Sequence, residues 1–449
     1  MRYEEYKIGE YDWLPEIPAH WQQLYIQQVS HEQKNKNIGM RENLVLSLSY
    51  GQIIRKKNVD AGLVAKDLST YQIVDKDNII LRFTDLQNDH KSLRTGLVKE
   101  RGIITAAYTC IVPTINAAYL HYALHSYDTR KVFYGMGGGV RQSIGFDDIR
   151  HMYVPVPPRE EQDQIVRYLD WKVSCINKLI HGYQRQIKLL EERRQTVVND
   201  VVVHGISEAP RHRVKAAWMD NVPHNWSEMR MKNFFTEINE RSVDGHEPHL
   251  SMSQKKGLVT DDENIERRLL SESYAGGKLC QKDDLVLNRL KAHLGVFALA
   301  PQLGVISPDY TVLRLNTSRV RPLYAEYLLK SIACRRELRI RVRGIVEGFW
   351  RLYTEDLGSI YVCLPPLEEQ DQILEYVQGQ EQKYKFAIER IEKQIALLKE
   401  YRTRMISDVV TGQMDVRSIF IPDYTPEDDT VENEADEETT DEEVSMDAD

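Results

Sequence analysis

The sequence predicts an α+β protein, with two mixed α/β domains and a long helix after each. Three observations predict it. Pro157-Pro158-Arg159-Glu160-Glu161-Gln162-Asp163-Gln164-Ile165 returns as Pro365-Pro366-Leu367-Glu368-Glu369-Gln370-Asp371-Gln372-Ile373, with eight of nine positions identical. An apolar stripe with alternating spacings of four and three follows each copy, and short apolar runs bounded by turn residues precede it. A repeat of about 200 residues is too long for a solenoid and marks a duplicated domain pair.

The repeat extends in both directions. Trp13, Pro18 and Trp21 align with Trp218, Pro223 and Trp226, and Leu46-Ser47-Leu48-Ser49 aligns with Leu250-Ser251-Met252-Ser253. Asp77-Asn78-Ile79-Ile80 matches Asp283-Asp284-Leu285-Val286. Gly102, Tyr108 and Thr109 match Gly295 or Gly304, Tyr310 and Thr311. Beyond the Pro-Pro pair, Leu189-Leu190 meets Leu397-Leu398, and Asp200-Val201-Val202 meets Asp408-Val409-Val410. The match is close after each Pro-Pro pair and loose before it, so a preserved part follows a diverged one. The expected division is a mixed domain 1–157, a helix 158–205, a linker 206–215, a second domain 216–365, a second helix 366–413 and an acidic, disordered tail 414–449.

In the mixed domains Asn78–Phe83, Gly102–Pro113 and Val305–Leu315 read as strands, and Ala117–Tyr127 and Pro322–Leu338 as short helices. The run Gly135-Met136-Gly137-Gly138-Gly139 reads as a loop. Each Pro pair followed by two glutamates is a helix start, because acidic side chains suit the positive end of the helix dipole. The first stripe runs Leu169, Val173, Ile176, Ile180, Tyr183, Ile187, Leu190, Val197, Val201. The second runs Val377, Tyr384, Ile388, Ile391, Ile395, Leu398, Met405, Val409. Both are broken at one matching place, by Arg194 and Arg402, and the second again by Glu381. Five heptads exceed what a helix lying on a globular domain needs, so the two helices are expected to pair as a coiled coil. About 42 residues makes a rod of about 60 Å. Ile180, Ile187, Leu190, Ile388, Ile395 and Leu398 form its expected seam, with Arg194 and Arg402 fixing register or snorkelling from the rim.

At 449 residues the chain has room for two to four domains. Five scattered cysteines without CxxC spacing argue for a reducing, cytoplasmic setting and against a zinc site. No apolar run reaches membrane-spanning length, and no signal-peptide pattern opens the chain. The net charge of −9 hides two regions. Residues 423–449 carry fourteen acidic and no basic side chains, which leaves 59 basic against 54 acidic residues (68 − 14) elsewhere. A mildly basic body thus bears an acidic tail, which solvates the chain or folds back on the body in competition with nucleic acid.

Catalytic motifs are missing. Gly276-Gly277-Lys278 lacks the spacing and the hydroxyl of a phosphate loop, and no GxSxG elbow or metal-ligand spacing occurs. Pro308-Asp309 and Asp75-Lys76-Asp77 are nuclease-like fragments without their partners, and neither Pro-Pro pair has the Asn/Asp-Pro-Pro-aromatic form of amino-methyltransferases. The chain therefore reads as a binding device with no catalytic residue, metal or cofactor of its own.

Its basic clusters are Arg55-Lys56-Lys57 in the first copy, and Lys255-Lys256 with Arg335, Arg336, Arg339, Arg341 and Arg343 in the second. Such side chains neutralise phosphates. Base edges are read by Arg, Lys, Asn or Gln. Gln52, Arg141 and Gln142, beside Gly137, Gly138 and Gly139, suit that role in the first copy, and Gln254, Arg289, Lys291, His293 and Arg351 in the second.

Two copies, each ending in a Pro-Pro-x-Glu-Glu-Gln-Asp-Gln-Ile helix start, resemble the specificity subunits of type I restriction–modification systems. The resemblance covers residues 1 to about 417. It implies two target recognition domains on conserved spacer helices, reading two DNA half-sites across a fixed gap. It also implies two methyltransferase subunits and further restriction/translocase subunits as partners, which supply S-adenosylmethionine, ATP and catalysis. The acidic tail departs from the family's pattern. Antiparallel helices with pseudo-two-fold symmetry then act as a ruler, and the diverged front halves make the target bipartite and non-palindromic. The rival reading is a coiled-coil scaffold whose domains bind protein.

Overall fold

The computed structural model describes the chain apart from residues 1, 12, 57–66, 85, 87–92, 137–143, 254–256, 261–273, 345–349 and 428–449. It comprises two compact units, Met1–Arg185 with Ile391–Asp449, and Gln186–Arg390.

The first unit opens with a hairpin of β1 (Tyr6–Tyr11) and β2 (Leu14–Pro18). β3 (Gln22–Tyr25), the short α1 (Ile26–Val29) and β4 (Ser30–Gln33) follow, then a second hairpin, β5 (Leu46–Ser49) and β6 (Gln52–Arg55). Next come β7 (Gln72–Val74), β8 (Ile79–Leu81), β9 (Thr95–Leu97), β10 (Gly102–Ile104) and β11 (Thr109–Pro113). α2 (Ala117–Thr129), α3 (Phe146–Ile149), β12 (Tyr153–Val156) and the 46-residue α4 (Arg159–His204) complete the series. One four-stranded sheet has the order β4-β11-β8-β9, and β10-β7 and β12-β3 form separate pairs.

The second unit opens with β13 (Arg211–Arg213) and β14 (Asn221–Pro223). β15 (Ser227–Arg230), β16 (Phe235–Ile238), and the hairpin β17 (Leu250–Ser253) and β18 (Gly257–Thr260) follow. Next come β19 (Lys278–Cys280), β20 (Leu285–Asn288), β21 (Phe297–Leu299), β22 (Gly304–Ile306) and β23 (Tyr310–Leu315). α5 (Pro322–Lys330), α6 (Ile332–Arg339), α7 (Thr354–Ser359), β24 (Tyr361–Leu364) and the 44-residue α8 (Leu367–Val410) follow, with α8 from Ile391 onward belonging to the first unit as α4 from Gln186 onward belongs to the second. Its sheet order is β16-β23-β20-β21, with pairs β19-β22 and β15-β24, which is the strand order of the first unit.

Strand alternation builds the cores. Ile79 and Leu81 join Leu120, Leu124 and Tyr127 in one buried cluster, whereas Ile80 between them joins Leu46, Leu48 and Val74 in another. Leu285 and Leu287 likewise pack with Tyr324 and Leu328, and Val286 with Leu250 and Leu258. A period of two lets one strand serve both layers, so these strands are apolar at every position.

Where the sequence suggests single long elements, the structure breaks them. Gly102–Pro113 becomes β10 and β11 across a turn closed by the Tyr108 N–H on the Thr105 carbonyl, at 3.2 Å. The matching Tyr310 N–H donates to Ser307 at 3.1 Å. Each half pairs with a different sheet, so the chain must turn between them. This register makes Gly304, not Gly295, the counterpart of Gly102. A Cβ on either glycine would come within 2.8 Å of a leucine side chain, Leu46 or Leu250. The helix expected over Pro322–Leu338 divides at Ser331, whose hydroxyl caps α6 by accepting the Cys334 N–H.

The repeated motif has a structural task. Glu161 is 7 % exposed and accepts from Tyr3 Oη (2.6 Å) and Trp21 Nε1 (3.1 Å), with His20 Nε2 at 2.8 Å from its other oxygen. Glu369, 9 % exposed, accepts from Trp226 Nε1 (3.1 Å) and Asn225 Nδ2 (2.8 Å). Gln162 donates to the Pro157 carbonyl (2.8 Å) and accepts the N–H of Asn116, the N-cap of α2 (3.0 Å). Gln370 repeats this with Pro365 (2.9 Å) and the N–H of Arg321, the N-cap of α5 (2.7 Å). Asp163 accepts from Asn116 Nδ2, and Asp371 takes both arms of the Arg321 guanidinium. Each long helix is therefore bolted at its start to the tryptophan loop and the short helix of one unit.

The far ends are seated in kind. Gly412, just past α8, adopts φ +75° beside Pro18 and Trp21, and Tyr119 Oη, which donates to the Pro155 carbonyl at 2.7 Å, lies 3.4 Å from the Val410 carbonyl. Gly205, just past α4, adopts φ +76° beside Trp226, and Tyr324 Oη donates to the Val202 carbonyl at 2.8 Å.

One expectation needs correction. The tail was expected to be disordered from residue 414, but residues 414–427 lie along α4. Gln164 Nε2 donates to the Val416 and Ile419 carbonyls at 3.0 and 2.9 Å. Glu427 N donates to Ser174 Oγ (2.7 Å), and its carboxylate is 3.0 Å from His181 Nδ1. Met414, Val416, Ile419 and Ile421 supply the apolar contacts, and the acidic composition begins only after them.

The seating of Gly412 yields a prediction. A Cβ there would fall 2.2 Å from Pro18 Cδ, against 3.0 Å from Trp226 Cζ2 for Gly205. Gly412→Ala should lower stability by more than about 1 kcal/mol, through both strain and overlap, and by more than Gly205→Ala. Thermal unfolding of the two variants checks the order.

Candidate nucleic-acid interface

In the first unit the candidate residues lie on the β5–β6 hairpin. Leu48 and Ile53 reach down over Gly96 of β9, where any side chain would collide with them, so the hairpin lies flat on the sheet. Gln52 opens β6 opposite Ser49 and is half-buried. Arg55 is exposed but engaged. Its Nε donates to Glu100 Oε1 at 2.6 Å, and this pairing holds the Glu100 carboxyl below its ordinary pKa. Lys56 donates its backbone N–H to Val45 at 3.0 Å. Lys57, Gly137, Gly138, Gly139, Arg141 and Gln142 lie outside the described residues.

In the second unit Gln254, Lys255 and Lys256 also lie outside the described residues, but the arginines are brought together. Arg289 follows β20. Its Nε donates to Thr311 Oγ1 at 2.8 Å, and its carbonyl accepts the Leu352 N–H at 3.1 Å. That tie joins the 289–295 turn to the segment where Arg343 and Arg351 exchange backbone hydrogen bonds of 2.9 and 2.8 Å. Lys291 and His293 lie in the same turn. Arg335 of α6 crosses to it, with Nη1 on the Leu294 carbonyl at 3.3 Å and its stem over Gly295. Gly295 has φ +81°, so it suits a tight turn that an arginine stem covers. Arg339 is exposed on α6. Arg341 folds back on Glu337 at 2.8 Å, and Arg343 pairs with Asp356, so part of their charge is spent inside the unit.

Sequence reading missed Lys278, dismissed there as a failed phosphate loop. Its side chain is buried, its Nζ is 3.8 Å from Glu237, and burial pushes its pKa down. The matching Gln72 instead satisfies its amide on the Thr105 and Tyr108 carbonyls, at 3.1 and 2.6 Å. Exposed Tyr50, Leu294 and Ile340 were missed too, because one sequence does not show which apolar side chains face out.

The stripe residues divide between the units. In the first, buried Ile180 shares a cluster with half-buried Ile395 and Leu398, and Arg402 Nη1 donates to Asn177 Oδ1 at 2.6 Å. In the second, Ile187, Leu190, Arg194 and Ile388 are half-buried. Glu381, which breaks the second stripe, accepts the Tyr327 hydroxyl at 2.8 Å. Among the described residues no cluster of His, Cys, Asp and Glu could hold a metal, and no helix is long and apolar enough to cross a membrane.

The two units share one strand order, each receives the start of one long helix and the end of the other, and the second gathers arginines about the 289–295 turn. No protein-family model matches the chain. It is 24% identical over 313 residues to a Methanocaldococcus jannaschii protein that carries the name of a type I restriction enzyme MjaX specificity subunit. That match covers 68% of this chain and 69% of the relative. It is 26% identical over 261 residues to the type I restriction enzyme EcoKI specificity subunit of Escherichia coli K12, covering 54% of this chain and 52% of the relative. The chain thus spans about half the length of the second relative. In fold it is similar to a chain from a solved type I R-M system, with a TM-score of 0.59, 15% identity, and coverage of 89% of this chain and 99% of that one. The chain is thus similar to proteins named as type I restriction enzyme specificity subunits, the family its repeated motif resembles.

Two histidines of α2 set a pH dependence. On α2, burial first, then neighbouring positive charge from His121 and Arg402, pushes His125 down to about 3. Burial pushes His121 down to about 4, and its Nε2 is enclosed without a hydrogen-bond partner. Both are neutral in the folded chain, whereas the unfolded chain takes up their protons near pH 6.5. Stability should therefore fall as pH drops below about 6.5, down toward the folded values. Between pH 7 and 5, His125→Gln should show a shallower fall in Tm than the parent, by about 2 °C or more. Equal slopes would contradict this.

Proposed function

We propose that this chain is the DNA-recognition subunit of a type I restriction–modification complex, reading a bipartite, non-palindromic target. Residues 1–157 and 216–365 are its two target recognition domains, 158–205 and 366–413 its spacer helices, and 206–215 the linker. The two helices pair as an antiparallel coiled coil in a pseudo-two-fold internal repeat. In support, the first part of α4 shares a core with the last part of α8, and Val198 and Val202 of α4 share one with Ile373 and Val377 of α8. Two methyltransferase subunits dock on the repeated part, and restriction/translocase subunits join them in the cytoplasm. These partners bind S-adenosylmethionine and ATP.

The observation that carries the reading is where the copies agree and where they differ. Strand order and helix bolt agree. The hairpin connections differ in sequence, Tyr50-Gly51 in the first copy and Gln254-Lys255-Lys256 in the second, and Arg289 follows β20 where the first copy has the buried Phe83. A device that keeps its frame and varies its tips suits two unlike half-sites for two copies of one partner. Arg289, Arg351 and Arg339 are the second domain's contacts to bases and phosphates, and Gln52 and Lys56 serve the first.

The test is sequencing of methylated adenine in DNA from cells expressing the chain with its methyltransferase partner. The expected result is one bipartite motif with a fixed gap, lost when the chain is deleted. Arg351→Ala should relax or abolish one half-site only, and an Arg339→Ala complex should show a salt slope reduced by about one. An unchanged methylation pattern on deletion would refute the reading.

A further inference from the structure

The β5–β6 hairpin turns through two residues, Tyr50 and Gly51, between the paired Ser49 and Gln52. Both have positive φ, +44° and +82°. This is the turn that suits the twist of two antiparallel strands, and Asn-Gly or Asp-Gly fills it without strain. Here a bulky aromatic residue occupies the left-handed first position, which is rare for such a side chain. Strain of that kind persists only where the surroundings impose it, and it gathers at functional sites.

Burial does not account for the tyrosine. Tyr50 is 53% exposed, whereas Trp21, Tyr119, Tyr127 and Phe133 of the same unit are buried. The scaffold beneath it is fixed, because Leu48 and Ile53 clamp the strands over Gly96. Gly51 faces inward, and a Cβ there would lie 3.0 Å from Leu93 Cδ1. The inward place at the tip thus belongs to the glycine and the outward place to the tyrosine. Half-buried Gln52 and Lys56 lie on the same hairpin, while the Arg55 charge is offset by Glu100. The tip thus presents a half-exposed aromatic ring on a rigid support. The second unit has the same hairpin, with Ser253 opposite Gly257, but joins it by Gln254-Lys255-Lys256 and has no aromatic there.

We propose that Tyr50 is a base-contacting residue for one half-site of double-stranded DNA, packing its ring on the apolar edge of a base while the hairpin follows the groove. This rests on the reading of the first unit as a recognition domain. An aromatic contact at a tip found in one copy makes the two half-sites unlike, and its strained backbone is retained because the ring's aim requires that turn.

The test uses complexes of the full chain with its methyltransferase partner, carrying Tyr50→Asn or Tyr50→Phe. Duplexes have both half-sites intact, or one or the other scrambled. Asparagine relieves the turn, so Tyr50→Asn should keep or raise the unfolding temperature. It should also bind the intact duplex at least about tenfold more weakly, with discrimination lost at one half-site and kept at the other. Tyr50→Phe should stay within about threefold of the parent. Three results would overturn the proposal: parent-like binding and discrimination by Tyr50→Asn, an equal loss on scrambled duplexes, or a lowered unfolding temperature that explains the loss. A parent complex that ignores both half-sites would instead refute the recognition reading, and this proposal with it.

Discussion

Each long helix begins by burying a carboxylate. Glu161 and Glu369 are nearly sealed from water, and each survives there because an indole N–H and further donors meet it. A hydrogen bond to a buried charge is worth about 1.5–3 kcal/mol, and losing its partners costs more. The interaction is directional as well as strong. It fixes where the helix starts and how it is rotated, and the adjoining glutamine ties that start to the Pro-Pro carbonyl and the short helix of the same unit. The seats of Gly205 and Gly412 use the same two tryptophans, so one small constellation in each unit receives the start of one helix and the end of the other.

This arrangement explains the uneven repeat. The Trp, Glu and Gln of the bolt tolerate little substitution, because each is buried and paired, whereas the half-buried capping residue changes from Asn116 to Arg321. Strand interiors need only apolar side chains of about the right size, so Ile79-Ile80-Leu81 and Leu285-Val286-Leu287 differ while their register holds. Hairpin tips and the arginine-bearing turns carry neither constraint and are free to diverge with the ligand they meet.

Much of this was legible in the sequence. The duplication, the helix starts and the mixed domains follow from identity, spacing and alternation. The aligned tryptophans and glutamates were visible separately, but some 140 residues part Trp21 from Glu161, and a single sequence holds no signal that they touch. The breaks at Thr105–Tyr108 and Ser331 depend on which sheet or helix takes the next segment, which is tertiary information. The seating of residues 414–427 was obscured because a composition averaged over the tail hides four apolar residues in its first part. For the candidate interface, the second unit's arginines were named but not their division into inward struts, such as Arg341, and outward groups, such as Arg339.

Under the proposed function, helices anchored at both ends set the gap between the two half-sites that the chain reads. Seven residues can be inserted after Arg185 in α4, after Arg390 in α8, or at both places. Seven residues add about 10 Å of helix while nearly preserving the seam. The account predicts that either single insertion breaks one anchor and abolishes site-specific methylation. The matched pair restores it at both original half-sites, with a gap longer by up to about three base pairs at 3.4 Å each. A matched insertion that leaves the gap unchanged, or a single insertion that recognises the original target normally, would contradict it.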